Sequence, residues 1–131
     1  TLLLETHDDW SCAAPVRAVV EQVAHARLRV LWDFMHPQRM MEKPAETFLT
    51  IGPLTEYQHG HDGIYDEGGR MQIVGLGQGG IDHIGPLGLL AGAGFSGYFS
   101  VEVIHQHQQP HDAEGVMRQY AEKFREISAG I

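Results

Sequence analysis

Residues 28–33, Leu28-Arg29-Val30-Leu31-Trp32-Asp33, form a mostly apolar run that contains one arginine and ends in an acid. A run of this length with branched and aromatic side chains is typical of a buried strand. Proline at position 37 disfavours its continuation. A helical pattern precedes the run and begins near Pro15, and its apolar face consists of Val16, Val19, Val20 and Val23. This stretch therefore predicts a helix followed by a buried strand.

The same alternation continues toward both ends of the chain. Further strands are predicted at residues 2–7, 51–59, 71–74 and 94–104. Helices are predicted at 44–49, at 81–93 with glycine and proline interruptions, and after Asp112, which we interpret as a helix cap. The glycine- and acid-rich residues 60–70 are predicted to form a loop. Strands that alternate with helices predict an α/β fold with about five parallel strands and flanking helices.

Polar residues flank the first predicted helix. Asp8 and Asp9 precede it, and we interpret them as its caps. His25 and Arg27 are expected in its last turn, where positive charge is favoured. These four residues therefore have structural interpretations that need no ligand.

Length and composition limit the function classes. The chain has 131 residues, 43% of them hydrophobic and 20% charged, which suits one globular domain over residues 1–131. A net charge of -8 disfavours nucleic acid as a partner, and no apolar run approaches the ~20 residues of a membrane-spanning helix. The single cysteine, Cys12, cannot form an internal disulfide, so we expect a cytoplasmic location. The Gly75–Gly80 run lacks the Lys-Ser/Thr pair of a phosphate-binding loop.

Four polar residues lie at or near the C-terminal ends of predicted strands. They are Glu5, Asp33, His59 and Glu102. The loops that follow parallel strands converge at that edge of the sheet, so these side chains are expected to meet. Three clustered carboxylates repel one another unless they are protonated or neutralised. A divalent cation would neutralise them, and mixed oxygen and nitrogen ligands leave Mn²⁺, Mg²⁺, Co²⁺ and Zn²⁺ open.

Each residue also has a simpler interpretation. A single acid after a strand is usually a helix cap or a loop residue, but four such residues at four strand ends are less easily explained by chance. His83, in the interrupted helix, is expected to be structural. A solvated loop is the default for the histidines that follow Glu102, with substrate or partner contact the minor alternative; they are His105, His107 and His111.

Five short motifs, taken in order, resemble one known family. They are Leu4-Glu5-Thr6-His7-Asp8-Asp9, Leu31-Trp32-Asp33-Phe34-Met35-His36-Pro37, Tyr57-Gln58-His59-Gly60-His61-Asp62-Gly63, Gly75-Leu76-Gly77-Gln78-Gly79-Gly80-Ile81-Asp82 and Gly94-Phe95-Ser96-Gly97-Tyr98-Phe99-Ser100-Val101-Glu102. The chain resembles the C-terminal part of the sugar phosphate isomerase/epimerase superfamily, the xylose isomerase-like TIM barrels. The resemblance implies a partial (β/α)8 barrel that contains the family's fourth to eighth strands.

The resemblance also implies roles for particular residues. Glu5, Asp33, His59 and Glu102 match the positions that hold one divalent metal in the family. His36 matches a histidine near the substrate, and His61 stands where the family often has a basic residue such as lysine. Arg70 is a looser match to a substrate-binding arginine.

The implied activity is isomerisation or epimerisation of a sugar or sugar phosphate. Glu5 and Glu102 would transfer a proton next to the carbonyl, through an enediolate. A dehydratase acting on a polyol or sugar acid is an alternative, as is a metal-dependent apurinic-site endonuclease, which the acidic charge disfavours. A non-catalytic truncated fragment is a further alternative.

The length bears on the expected assembly. A complete barrel takes about 250 residues, so this chain is expected to supply slightly more than half of one. We expect a truncated barrel or a homo-oligomer that covers the open sheet edges. Glu56 and Gln58 are expected to point away from the site, exposed or covered by a partner.

Overall fold

Four parallel strands form the sheet that carries the strand-end residues. The computed structural model describes residues 1–103 and 112–131. In it the strands lie in the order β1 (Leu2–Glu5), β2 (Leu28–Asp33), β3 (Thr55–Gly60) and β6 (Tyr98–Val101). The register pairs Glu5 with Leu31 and Asp33 with His59, so the carboxyl ends of the strands lie at one edge. The predicted α/β class and the partial barrel are confirmed.

The remaining two strands form a separate hairpin. β4 (Asp62–Tyr65) and β5 (Met71–Val74) pair antiparallel and belong to a two-stranded sheet of their own. The predictions of a loop over residues 60–70 and of a parallel strand at 71–74 are therefore wrong, and the parallel sheet has four strands instead of about five. Only five residues separate the two strands, whereas a parallel crossover needs a dozen or more. The turn suits a hairpin because Gly69 has a φ of 74°.

Five α-helices accompany the strands in the part of the chain that the structure describes. They are α1 (Ala13–Val23), α2 (Met35–Arg39), α3 (Pro44–Ile51), α4 (Ile84–Gly92) and α5 (Ala113–Ser128). Asp112 caps α5 as predicted, because its side chain accepts a 2.8 Å hydrogen bond from the amide of Gly115. The last strand begins at Tyr98, and its predicted end at Ile104 lies outside the described residues, as do His105, His107 and His111.

The ends of α1 differ from the prediction. Asp8 and Asp9 lie in a separate 3₁₀ turn, Asp8–Trp10, and do not cap α1. The carboxylate of Glu42 accepts a hydrogen bond from the amide of Ala13 instead. At the other end Ala24 adopts a left-handed conformation, which stops α1 before His25 and Arg27. Those two residues lie outside the last turn, contrary to expectation.

The helix α2 was not expected beside Pro37. Asp33 Oδ1 accepts hydrogen bonds from the amides of Met35 (2.7 Å) and His36 (3.3 Å). These bonds satisfy amides that lack partners within the first helical turn, where proline is tolerated. Asp33 is therefore the last residue of β2, and its side chain stabilises the first turn of α2.

The main core lies between the sheet and helices α1, α3 and α4. Val30, Trp32 and Phe34 are at most 1% exposed and pack against Val16, Ile51 and Leu90, among others. Because side chains alternate along a strand, Leu31 and Asp33 lie on the opposite face of β2. The functional edge therefore rests on a tightly packed strand.

The outward face of β3 is only partly exposed. Glu56 lies at the surface and pairs with Arg29 at 3.0 Å. Gln58 is buried and lines a cavity of about 310 Å³ beside Leu90 of α4 and Phe124 of α5. Helices of the same chain therefore cover Gln58. Within residues 1–103 and 112–131, no helix is both long and apolar enough to cross a bilayer.

Candidate metal centre

The ends of four strands bring together four side chains. Each offers one ligand atom, and these atoms lie within 4.8 Å of one another; the residues are Glu5, Asp33, His59 and Glu102. Glu5 and Asp33 end β1 and β2, His59 lies in β3, and Glu102 directly follows β6. The structure therefore brings together all four residues that the resemblance implied as metal ligands.

His59 connects the two glutamates of this cluster. Its Nδ1 atom lies 2.7 Å from Glu5 Oε1 and 3.2 Å from Glu102 Oε2. The hydrogen bond to Glu5, followed by the charge of both glutamates, raises the pKa of His59 despite its partial burial. Partial burial likewise raises the pKa of Glu102, although His59 and His61 oppose the rise.

Asp33 uses its two carboxylate oxygens differently. Oδ1 accepts the two amides that start α2. Oδ2 is directed to the cluster and has no hydrogen-bond partner among the described residues, although the side chain is fully buried. Burial alone would raise the pKa of Asp33, but the neighbouring His61 and His36 outweigh it and leave that pKa below its usual value. Asp33 is therefore held as a carboxylate with one oxygen available.

Thr6 fixes the backbone at Asp33. The buried Thr6 hydroxyl accepts a 2.9 Å hydrogen bond from the Asp33 amide and lies 3.2 Å from the Asp33 carbonyl, to which it donates. The contact joins the ends of β1 and β2 just where both supply a cluster residue. Thr6 stands in the first sequence motif, but nothing in the sequence signals this role.

Two further histidines lie beside Asp33. His61 Nε2 is 2.8 Å from Asp33 Oδ2 and 4.0 Å from Glu102 Oε2, and His36 Nε2 is 3.9 Å from Asp33 Oδ2. Both imidazoles are buried, with 1% of His61 and 5% of His36 exposed. Burial lowers the pKa of His36 to about 4, so its imidazole is neutral at pH 7.

His83, which is also buried, places its Nε2 atom 3.0 Å from the carbonyl oxygen of His61 and so has a structural contact, as expected.

Arg70 lies apart from this cluster. It sits at the end of the hairpin turn, where its Nε atom pairs with Asp66 Oδ2 at 3.2 Å. Its side chain is 82% exposed. Among the described residues, it is the one predicted site residue for which the structure records no contact with the others.

Asp62 has a role that the sequence did not reveal. This fully buried carboxylate accepts hydrogen bonds from four backbone amides, those of Gly63, Gly77, Gly79 and Ile81. The glycine-rich segment therefore surrounds a carboxylate of the same chain, which occupies amides that a phosphate would need. Asp62 also directly follows His61, so the same contacts fix the backbone beside the cluster.

The donor set fits a divalent cation. Asp33 Oδ2 and Glu102 Oε2 are both buried and lack hydrogen-bond partners within residues 1–103 and 112–131. Buried polar atoms without partners are costly, and three carboxylates in one cluster repel. A cation accepts several such oxygens and an imidazole nitrogen together, and these donors suit Mn²⁺, Mg²⁺, Co²⁺ or Zn²⁺.

The sequence matches the xylose isomerase-like TIM barrel family over residues 1–127, so the chain belongs to that family. The resemblance in the sequence motifs is thereby confirmed. No curated protein matches the sequence significantly.

Three solved structures share the fold. The first is the xylose isomerase domain protein from Planctomyces limnophilus, with a TM-score of 0.73 and 20% identity, covering 97% of this chain and 45% of that one. The second is the probable 3-DHS dehydratase AsbF from Bacillus anthracis, with a TM-score of 0.70 and 17% identity, covering 93% and 48%. The third is the 3-keto-D-glucoside 4-epimerase YcjR from E. coli, with a TM-score of 0.61 and 15% identity, covering 90% and 40%. The chain spans about half the length of these structures or slightly less, and the similarity concerns the fold.

Proposed function

We propose that this chain carries the metal centre of a divalent-metal-dependent isomerase or epimerase acting on a sugar or sugar phosphate. One observation carries the proposal: Glu5, Asp33, His59 and Glu102 converge at the carboxyl edge of the sheet, where enzymes of this architecture bind substrates. A cytoplasmic location is part of the proposal, because the lone Cys12 forms no internal disulfide.

Asp33 and His59 mainly hold the cation in this proposal. Asp33 is suited to that role because Thr6 fixes its backbone and α2 fixes one carboxylate oxygen. The cation, which could be Mn²⁺, Mg²⁺, Co²⁺ or Zn²⁺, would supply Lewis-acid stabilisation of the charge that develops on substrate oxygen. Imidazole favours metals other than Mg²⁺, while the carboxylates accept any of the four.

Glu5 and Glu102 transfer the proton and also contribute to the metal centre. Both lie within 3.2 Å of His59 Nδ1 and so flank one point of the site. Partial burial raises the pKa of Glu102, which favours its protonated form, so we assign it the general acid role. Glu5 removes the proton next to the carbonyl as the general base. The intermediate would be an enediolate of the sugar.

The substrate contacts come from three basic residues. His36 and His61 lie beside Asp33 and would orient substrate oxygens. Arg70 would bind an anionic group such as a phosphate after leaving its exposed pair with Asp66, which costs little. A substrate with a phosphate should therefore depend on Arg70 more than the unphosphorylated sugar does.

A dehydratase is the second candidate. Removal of a proton by Glu5 is common to both reactions, and Glu102 could then protonate a departing hydroxyl group. The raised pKa of Glu102 favours this role as much as return of the proton to carbon. A dehydratase would release water and form a double bond that absorbs in the ultraviolet, whereas an isomerase or epimerase would not.

The Glu102→Gln variant tests the proposal. We expect weaker binding of Mn²⁺ and a loss of at least about 100-fold in the exchange of substrate protons with solvent deuterium, measured by NMR over a panel of sugars and sugar phosphates. Glu122→Gln, at an exposed position of α5, is the matched control and should change neither. Unchanged metal binding together with unchanged exchange in Glu102→Gln would overturn the assignment.

We also propose that a second copy of the chain covers the outer sheet edges. β1 and β6 are the outer strands of the parallel sheet as described, and Leu2 and Tyr98 on them are 70% and 75% exposed. Exposed strand edges tend to pair with other chains. Light scattering of the 131-residue chain should give the mass of a dimer or larger assembly, and a stable monomer would contradict the proposal.

A further inference from the structure

A cavity of about 310 Å³ lies on the face of the parallel sheet opposite to the metal centre. Gln58 of β3 and Phe99 of β6, which are register partners, line it from the sheet. Gln58 alternates with the cluster residue His59, so the two side chains lie on opposite faces. Leu90 of α4 and Phe124 of α5 line the cavity from the helices. Because none of its described lining residues belongs to the metal centre, the cavity is independent of the proposed function.

The lining of this cavity is mostly aromatic and aliphatic. Three phenylalanines contribute to it, Phe95, Phe99 and Phe124, and the rings of the last two stack with their centroids 4.9 Å apart. None of the described residues that line the cavity carries a charge. Burial of a charge without a partner is costly. The cavity therefore suits an uncharged molecule with flat apolar surfaces.

Gln58 is the buried polar residue of this cavity. It is 2% exposed, and its side chain makes no hydrogen bond with another described residue. The other polar lining residue, Ser128, is exposed and donates to the carbonyl of Arg125. Elsewhere in the fold, Gln119 shows the usual pairing, since its side chain donates to the carbonyl of Leu76 and accepts from the Leu76 amide. Buried side-chain amides are nearly always hydrogen-bonded, so the Gln58 side chain indicates a partner from outside the described residues.

We propose that this cavity binds an uncharged planar aromatic molecule whose hydroxyl or ring N–H group pairs with the side-chain amide of Gln58. An apolar cavity of about 150 Å³ holds one benzene molecule, so the volume here suits a two-ring system such as indole. The Gln58 side chain can accept a hydrogen bond from such a group and can also donate one. A buried water molecule is a poorer occupant, because it needs about three hydrogen-bond partners and Gln58 is the one buried polar side chain in the described lining.

Isothermal titration calorimetry of the 131-residue chain with indole tests the site. We expect a Kd of about 1 mM or lower for indole, and binding at least about 3-fold weaker for N-methylindole, which has no N–H group to donate. In Gln58→Leu, indole should bind about 3- to 10-fold more weakly, and the difference between the two probes should disappear. Ala91→Trp fills the cavity from α4 and should abolish binding of both probes. Ala18→Trp, at an exposed position of α1, is the matched control and should retain both.

Several results would overturn the inference. Absence of indole binding in the natural chain would do so, and so would undiminished binding in an Ala91→Trp protein that far-UV circular dichroism shows to be folded. If that variant fails to fold, equal affinity for indole in Gln58→Leu and the natural chain would contradict the assigned partner. Equal binding of indole and N-methylindole by the natural chain would exclude Gln58 as the acceptor without any variant. None of these results concerns metal binding or proton exchange, so a failure here leaves the proposed function intact.

Discussion

The hydroxyl of Thr6 contacts both backbone polar groups of Asp33, 27 residues away in the sequence. It accepts from the amide at 2.9 Å and donates to the carbonyl at 3.2 Å, with both residues fully buried. One small side chain thus satisfies two buried groups that the sheet ladder leaves open. The contact fixes the backbone of Asp33 where its side chain joins the Glu5, Asp33, His59 and Glu102 cluster.

Thr6→Val removes this contact without changing the side-chain shape. We expect the free energy of unfolding to fall by about 2 kcal/mol or more, since each unpaired buried group costs about 1–3 kcal/mol. Affinity for Mn²⁺ should fall about 10- to 100-fold, as for other residues that orient a ligand. Urea titration and calorimetry measure the two effects. Thr6→Ser retains the hydroxyl and should lose under about 1 kcal/mol; equal losses in both variants would contradict the assigned role.

Asp62→Asn tests the carboxylate that the glycine loop surrounds. An amide group accepts fewer hydrogen bonds than a carboxylate and brings two N–H donors toward backbone amides that cannot accept them. We expect a loss of about 2–4 kcal/mol in the free energy of unfolding, measured by urea denaturation. Asp66→Asn, in the hairpin turn, should lose much less than Asp62→Asn because its partners are near solvent. Similar losses at both positions would show that burial of Asp62 adds nothing.

The buried His36 predicts how the metal-free protein responds to acid. Its pKa is about 4 in the folded chain and 6.5 without the fold, so only the unfolded chain takes up the proton between these values. The contribution of neutral His36 to the free energy of unfolding is complete above pH 6.5 and is lost as the pH falls toward 4. It amounts to about 3 kcal/mol, at about 1.4 kcal/mol per pH unit between the two pKa values. Urea midpoints at pH 7 and pH 4 should differ less in His36→Gln, and an equal difference would contradict this origin.

Replacing Gly60 or Gly88 with alanine should change the free energy of unfolding in opposite directions. A Cβ at Gly60 would overlap the ring of Phe99, whereas a Cβ at Gly88 in α4 meets no described atom within 4 Å. Gly60→Ala should lower the free energy of unfolding by about 1–3 kcal/mol through overpacking. Gly88→Ala should raise it by about 0.5–1 kcal/mol, because alanine favours a helix. Thermal unfolding measures both, and a stable Gly60→Ala protein would show that Phe99 can move away.

Periodicity in the sequence predicted the main sheet and its functional edge. The alternation along β2 places Val30 and Trp32 in the core and the cluster residue Asp33 on the opposite face, and this period of two is present in the structure. The helix cap at Asp112 could also be predicted, because a single aspartate before the helical pattern indicates it. Such local sequence patterns predict the structure correctly because they depend only on neighbouring residues.

Long-range pairing was much harder to predict. Met71–Val74 has the composition of a strand, but its partner Asp62–Tyr65 lies across a turn rather than in the sheet, and composition does not specify a partner. The four amides around Asp62 come from residues 63–81, so no local motif announces them. The depth of His61 likewise depends on packing from several elements. The sequence places it on the same face as His59 but does not show that it lies against Asp33.

Each strand of the parallel sheet contributes one member of the Glu5, Asp33, His59 and Glu102 group. Consequently, any segment that unfolds alone carries too few ligands to retain an ion. A cation held there would act as a cross-link between four strands. When the concentration of free cation is 100 times its dissociation constant, binding would add about 2.7 kcal/mol to the stability of the whole sheet. Metal supply would then govern how long the protein survives proteolysis.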